Sequence, residues 1–196
     1  MIFATVLRGG REYTQEHVHK LRDMVQQHAP NMDFVCLTDS SPQCNRITLT
    51  KNYPGWWAKM ELFKLQGPVL YMDLDTIICG DISHWLDQIK DNKFVILRDV
   101  YRDKRDPHAM QSSIMYWSGD MSDIWEEFSS NPDFSHPNGD QGWLEQHLDD
   151  VAYIQDFTDD VVSYKAHIKN GYPKHKATVI FFHGKPRPWE QRDVAY

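Results

Sequence analysis

The sequence predicts an α/β protein whose N-terminal part is a doubly wound, parallel sheet. Two observations predict it: short apolar runs alternate with segments of helical periodicity, and no repeat, charge block or Ser/Gly-rich linker breaks this pattern over the 196 residues. At this length a single domain covering residues 1–196 is expected. Ligands of such sheets bind beyond the carboxyl ends of the strands, so the residues that follow each strand are the first candidates for a site.

The strands are predicted from short apolar runs that end at polar or turn-forming residues. The first is Ile2–Leu7, which runs into Arg8, and the second, residues 34–37, ends at Thr38-Asp39. The remaining predicted strands are residues 69–72, 94–97, 113–117 and 178–182. The first three alternate with helical segments, which is the reason for expecting a parallel core at this end of the chain.

The helices are predicted from apolar residues that recur every three or four positions. They cover residues 15–28, the segment between Pro54-Gly55 and Gly67-Pro68, and residues 121–128 and 141–148. Thr14 is placed to cap the first. In the second, Trp56, Met60 and Phe63 are at helical spacing, so they are expected to share its apolar face.

Composition and charge exclude several classes of protein. With 21 basic and 28 acidic residues the net charge is −7, which disfavours a non-specific nucleic-acid binder. No apolar run approaches the ~18–20 residues that a membrane span needs. The three cysteines, an odd number without a CxxC pair, give neither a disulfide framework nor a zinc site; Cys36 and Cys79 are expected to be core thiols. A reducing, cytoplasmic location is expected.

The strongest candidate site is Asp73-Leu74-Asp75, which follows the predicted strand 69–72. Two carboxylates at the end of a strand can both turn toward one hard divalent cation, such as Mn²⁺ or Mg²⁺, while Leu74 returns to the core. A solvated turn is a sufficient explanation for most isolated pairs of this kind. Here the pair follows a buried strand directly, where two close like charges need a counter-ion, and this favours a metal site.

The second candidate is the segment that follows the last predicted strand, from His183 to Trp189. A neutral His183 can complete a metal site, Gly184 permits close approach of the backbone, and Lys185 or Arg187 can bind a phosphate. Taken alone, a histidine at a strand end followed by surface cations is the simpler interpretation. Together with the aspartate pair, the segment favours a ligand role.

Two further polar groups have complete structural explanations beside their functional ones. Asp140 can cap the helix that follows it, and Lys59 can be solvated on a helix whose opposite face is apolar. The functional alternatives are that Asp140 or Gln141 faces the site and that Lys59 contacts a diphosphate. The residues alone leave both open.

Six segments, in this order and spacing, resemble the glycosyltransferases of the GT-A fold. They are residues 55–63, 69–76, 111–115, 139–141, 162–165 and 182–188, and the likeness spans nearly the whole chain. The most similar members are small bacterial and phage proteins distantly related to the glycogenin-like and galactosyltransferase-like retaining enzymes. The resemblance implies a Rossmann-like mixed sheet flanked by helices, at close to the minimal size for this nucleotide-diphospho-sugar transferase fold.

The resemblance also implies roles by position. Asp73, Asp75 and His183 would bind the metal ion, and Asp140 and Gln141 would form the catalytic pair under the anomeric carbon. The implied donor-binding residues are Thr5, Val6, Leu7, Arg8, Asp39, Lys59, Leu74, Gly184, Lys185 and Arg187, with those of the first two strands near the nucleobase. Because better-studied relatives have extra residues in the last motif, the choice between Lys185 and Arg187 stays open.

The implied activity is metal-dependent sugar transfer from a nucleotide-sugar donor, with a UDP-sugar and retention of configuration expected. The acceptor is open between a glycan, a lipid, a protein and a modified DNA base. One alternative is a nucleotide- or glycan-binding protein without turnover. Another is a haloacid-dehalogenase-type phosphatase, which would carry a threonine where this chain has Ile77.

Overall fold

The computed structural model describes residues 1–10, 12–194 and 196 and contains two sheets. Numbered in chain order, the strands of the main sheet lie side by side as β3 (Arg46–Thr48), β2 (Asp33–Thr38), β1 (Ile2–Leu7), β4 (Val69–Met72), β7 (Met110–Trp117), β6 (Phe94–Arg98) and β8 (Ala152–Tyr153). The second sheet has the order β5 (Ile77–Ile78), β10 (Val179–Phe181) and β9 (Val161–Ser163).

The helices cover both faces of the main sheet. They are α1 (Gln15–His28), α2 (Ser83–Ile89), α3 (Ser122–Ser130), α4 (Gly139–His147) and a 3₁₀ helix at Gly55–Lys64, here named the long 3₁₀ helix. Shorter 3₁₀ turns lie at Ile154–Asp156, Ile168–Asn170, Lys174–Lys176 and Pro188–Glu190. Within the part of the chain that is described, no helix is both long and apolar enough to cross a bilayer.

The parallel core predicted for the N-terminal part is confirmed. Strand β1 pairs in parallel with β2 and with β4, so the carboxyl ends of all three point to one edge. Strand β7 runs antiparallel to β4 and brings its amino end to the same edge, where the Asp73 amide donates to the Ser113 carbonyl at 2.8 Å. This makes the sheet mixed, and it places residues from four strands around one edge.

Successive side chains of β1 pack into two apolar layers, one on each face of the sheet. Phe3 and Leu7 pack with α1 and α2 on one face, whereas Ala4 packs with the long 3₁₀ helix, α3 and α4 on the other. Each large apolar side chain buried in this way contributes about 1.5–3 kcal/mol. The two layers hold the strands rigidly, and therefore fix the residues that follow β1 and β4.

Four details differ from the sequence prediction. The segment after Pro54 is a 3₁₀ helix, and Trp56 is 58% exposed, whereas Met60 and Phe63 are buried as expected. Cys79 is exposed because it lies beyond the end of β5, while Cys36 is buried. The last predicted strand, 178–182, is the shorter β10 and belongs to the second sheet. Helix α2 and strands β3, β5, β8 and β9 are too short to give a periodic pattern and were not predicted.

A buried carboxylate anchors the long 3₁₀ helix. Glu61, which is 2% exposed, accepts hydrogen bonds from the backbone amides of Thr50 and Lys51 at 2.8–3.1 Å and pairs with Lys64 at 2.6 Å. These contacts join the helix to the end of the preceding loop. Because the helix carries Lys59, Glu61 also fixes the position of that side chain.

We expect Glu61→Ala to lower the free energy of unfolding by about 2–4 kcal/mol, because two backbone amides and one ammonium lose their shared, buried acceptor. Urea unfolding followed by circular dichroism would measure the loss. The matched control is Glu16→Ala, which removes an exposed carboxylate 3.7 Å from Lys20 and should change stability by less than ~0.5 kcal/mol. Equal losses in the two variants would contradict the anchoring role.

Candidate functional site

An open cleft of about 870 Å³ lies at the carboxyl ends of β1 and β4. Arg8 follows β1, Asp73 and Asp75 follow β4, and His183 follows β10, and all four line this cleft together with Asp140 at the start of α4. The convergence expected from strand ends is therefore confirmed for these residues. Polar residues gather here because the chain leaves the apolar layers where these strands end.

Lys59 is the centre of a buried charge cluster on the cleft wall. Its Nζ lies 3.1 Å from Asp73 Oδ1, 3.5 Å from Asp140 Oδ2 and 3.1 Å from Ser112 Oγ. Ser112 Oγ in turn donates to Asp140 at 2.7 Å. Burial favours the neutral amine, but the Asp140 and Asp73 carboxylates outweigh it and raise the pKa of Lys59. The solvated lysine that the sequence allowed is wrong, since only 9% of this residue is exposed.

Asp75 is buried and is held by two groups from distant parts of the chain. The Tyr13 hydroxyl donates to its Oδ2 at 2.8 Å, and the Arg187 guanidinium contacts the same oxygen. Burial and the neighbouring Asp73 carboxylate raise the pKa of Asp75 to about 6, against the opposing effect of Arg187. The ionised form of Asp75 is therefore disfavoured, and a further positive charge nearby would stabilise it.

His183 lies on the same cleft but does not point at the aspartates. Its Nε2 is hydrogen-bonded to Ser163 Oγ at 2.9 Å, and its ring packs edge-on against Tyr101 with centroids 5.0 Å apart. Burial, and the nearby Lys165 ammonium, lower the pKa of His183 to about 4, so the ring is neutral at pH 7. Among the described residues, no group of three or more His, Cys, Asp and Glu side chains is close enough to hold a metal ion.

The structure separates the two basic residues between which the sequence could not choose. Arg187 lines the cleft and contacts Asp75 and Glu12, the latter at 3.0 Å. Lys185 is 66% exposed in its side chain and bridges Glu12 and Glu190 at 2.9 and 2.7 Å. Of these two residues, Arg187 is therefore the one that lines the cleft.

At the end of β1, the predicted donor-binding residues divide by strand alternation. Val6 faces the cleft, whereas the side chains of Thr5 and Leu7 are buried and do not line it, so donor binding by these two residues stays a prediction. Thr5 donates to the Met72 carbonyl of β4 at 2.9 Å and Leu7 packs in the core.

The other predicted residues lie at or beside the cleft. Asp39 pairs with Arg8 at 3.0 Å and so supports the cleft wall rather than lining it. Leu74, Gly184 and Gln141 all line it, and their roles in donor binding and catalysis stay predictions.

Several cleft residues were not predicted. Tyr13 and Glu12 precede α1 in a loop without any pattern, and Trp56 was assigned to an apolar face. Ser112 and Lys165 lie in two of the six family-like segments, yet nothing in their local sequence indicates a role. Lys165 Nζ lies 3.5 Å from the point that a Cβ on Gly184 would occupy, so its charge is at the cleft edge.

We expect Asp75→Asn to stabilise the metal-free protein at pH 8 by about 1–3 kcal/mol. Because the pKa of Asp75 is raised from 3.8 to about 6, ionisation of its carboxylate destabilises the folded state. This destabilisation is present above pH 6 and disappears toward pH 4. Thermal unfolding in chelator from pH 4 to pH 8 measures this. Asp23→Asn, at an exposed carboxylate, is the control; a less stable Asp75→Asn protein at pH 8 would contradict the argument.

Comparison with known proteins supports the fold. No family model matches this chain, and no curated protein matches it by sequence. Among solved structures, the galactosyltransferase LgtC, in complex with donor and acceptor sugar analogues, superposes with a TM-score of 0.63 at 13% identity, covering 98% of this chain and 90% of LgtC.

Two further glycosyltransferases give similar agreement. GlyE of Streptococcus pneumoniae TIGR4 has a TM-score of 0.69 at 15% identity; 97% of this chain is covered, and it spans 57% of GlyE. An enzyme involved in glycosylation of the major capsid of PBCV-1 has a TM-score of 0.60 at 10% identity, with 95% of each chain covered. This chain therefore has the GT-A glycosyltransferase fold, as its six motifs predict.

Proposed function

We propose that this protein transfers a sugar from a nucleoside-diphosphate sugar, with a UDP-sugar as the expected donor, to an acceptor. The observation that carries the proposal is the cleft itself, where three carboxylates and two cations meet at the strand ends of this fold. They are Asp73, Asp75, Asp140, Lys59 and Arg187. LgtC binds donor and acceptor sugar analogues, which supports a cleft that takes both substrates.

The chemistry such a reaction needs is charge stabilisation. When the bond to the sugar breaks, negative charge grows on the departing diphosphate and positive charge grows on the sugar ring. Arg187 is placed to contact the diphosphate because it lines the cleft beside Asp75. Lys165 is a second candidate: unlike Arg187, it makes no ion pair with the described residues, so its charge is available to a ligand.

Asp73 and Asp75 are the residues proposed to hold Mn²⁺ or Mg²⁺. Carboxylate oxygens are the ligands that hard cations prefer. Burial and the neighbouring Asp73 carboxylate raise the pKa of Asp75, and a bound cation would stabilise the negative charge that both disfavour, so the donor set fits. When bound, the ion would offset the charge of the donor's diphosphate. His183 joins this set only if its Nε2 leaves Ser163, so its role as third ligand stays a prediction.

Asp140 and Gln141 are proposed to face the sugar. Asp140 is 5% exposed and already paired with Lys59 and Ser112, which holds its carboxylate in one position at the cleft wall. Gln141 follows it in α4 and lines the cleft with a half-buried amide. The amide dipole of Gln141 and the fixed carboxylate of Asp140 can both stabilise positive charge on the ring. Retention of configuration remains the expectation from the family.

A nucleotide-binding and metal-binding panel tests the proposal. Thermal unfolding is measured with UDP, GDP, ADP and CDP, each with Mn²⁺ and with EDTA. We expect one diphosphate to raise the Tm in Mn²⁺, by an amount equivalent to ~2.7 kcal/mol at one hundred times its Kd, and to do so far less in EDTA. In Asp75→Ala the Mn²⁺-dependent part should disappear.

Turnover is then followed as release of the same diphosphate from its nucleotide sugars, with Mn²⁺ restoring what EDTA removes. If no diphosphate raises the Tm of the wild-type protein, the proposal is contradicted. Tight diphosphate binding without hydrolysis or transfer would favour the binding-only alternative. Full turnover in EDTA would remove the metal ion from the mechanism.

Arg187→Ala and Lys185→Ala form a matched pair of variants. We expect Arg187→Ala to weaken diphosphate binding at least 10-fold, about the value of one charge-assisted hydrogen bond to phosphate, since this guanidinium lines the cleft. Lys185→Ala should change it less than ~3-fold, because that ammonium is exposed and points to Glu12 and Glu190. Isothermal titration with the selected diphosphate measures both, and the reverse ranking would contradict the assignment.

A further inference from the structure

Trp56 stands out because its ring is exposed inside the cleft. It is 58% exposed, more than any other large apolar side chain in the described ranges, although it lines the same cleft as Asp73 and Asp140. The neighbouring Trp57, by contrast, is buried and stacks on Phe128 with ring centroids 5.3 Å apart. Packing in the core therefore explains why position 57 is a tryptophan. It does not explain Trp56, because an exposed indole gains little free energy from burial.

The backbone of Gly139 fixes the Trp56 ring. A Cβ at Gly139 would lie 2.6 Å from Trp56 Nε1 and 3.2 Å from two ring carbons, so the indole packs directly on the glycine. Gly139 also has a positive φ of 63°, which favours glycine independently. Since Gly139 is the first residue of α4, the ring is held beside Asp140 and Gln141, which follow it.

The ring packs on α4, whereas the proposed nucleotide end of the cleft is the end of β1. In the main sheet β4 lies between β1, which leads to Arg8, and β7, which carries Ser112 and contacts α4. Trp56 packs on α4 and so belongs to the β7 side. A donor whose nucleobase lies near the end of β1 would present its sugar, not its base, toward this ring.

The one charged group beside the ring, the Asp140 carboxylate, is already paired with Lys59. The other cleft residues nearest to the ring, in sequence or at the start of α4, are uncharged: Gly55, Pro137, Asn138 and Gln141. Basic side chains of the cleft, Arg8, Lys59 and Arg187, are each paired with a carboxylate. A nucleic-acid acceptor would need cations for its phosphates, and a lipid would need a wide apolar surface. One flat aromatic ring flanked by amides suits neither.

We propose that Trp56 is the platform on which a pyranose ring of a glycan acceptor stacks. This inference rests on the proposed function and names the class of its acceptor. The C–H bonds on one face of a pyranose carry partial positive charge and meet the negative face of the indole, while its hydroxyl groups can bind the amides of Asn138 and Gln141. A ring already held by Gly139 loses little conformational entropy on binding, which favours recognition of a small, polar ligand.

The test uses saturation-transfer difference NMR with three probes at millimolar concentration: methyl β-galactoside, methyl β-glucoside and methyl N-acetyl-β-glucosaminide. We expect the wild-type protein to saturate at least one of them, most strongly at the hydrogens of one ring face. Trp56→Ala should reduce this signal at least 5-fold, and Trp56→Phe should keep it within ~2-fold. Ile47→Ala, which removes an exposed apolar side chain from the sheet edge at β3, should leave it unchanged.

Separate readouts distinguish this inference from the proposed function. Trp56→Ala should unfold within ~2 °C of the wild type and bind the selected nucleoside diphosphate within ~2-fold, since Trp56 is exposed and lies away from the nucleotide end. If the wild type saturates no glycoside, or Trp56→Ala saturates it equally, the acceptor inference is overturned.

A single-stranded oligonucleotide that binds the wild type and not Trp56→Ala would also overturn it, in favour of base stacking. Titration of the wild-type protein with the diphosphate tests the proposed function independently of the acceptor inference.

Discussion

The cleft depends on one buried ammonium, that of Lys59, placed between Asp73 and Asp140. It ties the end of β4, the start of β7 through Ser112, and the first turn of α4 to the long 3₁₀ helix. Without this cation two carboxylates would face each other in a poorly solvated wall, a situation whose cost is typically 3–5 kcal/mol when one partner of a buried pair is removed. The elements around the cleft are thus positioned by charge, whereas the strands behind them are positioned by apolar packing.

The same charges explain why the cleft suits a ligand that brings its own cation. Asp73, Asp75 and Asp140 carry three negative charges against the two positive charges of Lys59 and Arg187. Burial, and next the Asp73 carboxylate, raise the pKa of Asp75. A diphosphate alone would add to the excess of negative charge, so its binding needs more positive charge than Lys59 and Arg187 supply. Lys165 offers some of it at the cleft edge, and a divalent cation between Asp73 and Asp75 would offer the rest.

Much of the fold was predictable because apolar runs are local. Strands β1 and β4 follow from their own residues, and so do the polar groups that come directly after them. What could not be predicted depends on partners far away in sequence. The sequence around Lys59 is that of a surface lysine, and only its contacts with Asp73 and Asp140 show otherwise. Lys185 and Arg187 both contact Glu12, and only the contact of Arg187 with Asp75 distinguishes them. The burial of the Thr5 and Leu7 side chains could not be predicted for a different reason: alternation decides which side chain of a strand reaches the cleft, and the ends of a strand do not reveal it.

The sheet order also divides the cleft into two chemically different halves. On the β1 side the side chains are charged and paired, with Arg8 on Asp39 and Arg187 on Asp75 and Glu12. On the α4 side they are amides and one exposed indole, beside the Asp140 carboxylate that Lys59 pairs with. Lys59 lies on the boundary, since it contacts Asp73 from β4 and Asp140 from α4 at once. A transfer reaction needs this kind of boundary, because the bond that breaks joins a highly charged leaving group to a neutral sugar. The β1 half of the cleft matches the charged leaving group, and the α4 half matches the sugar.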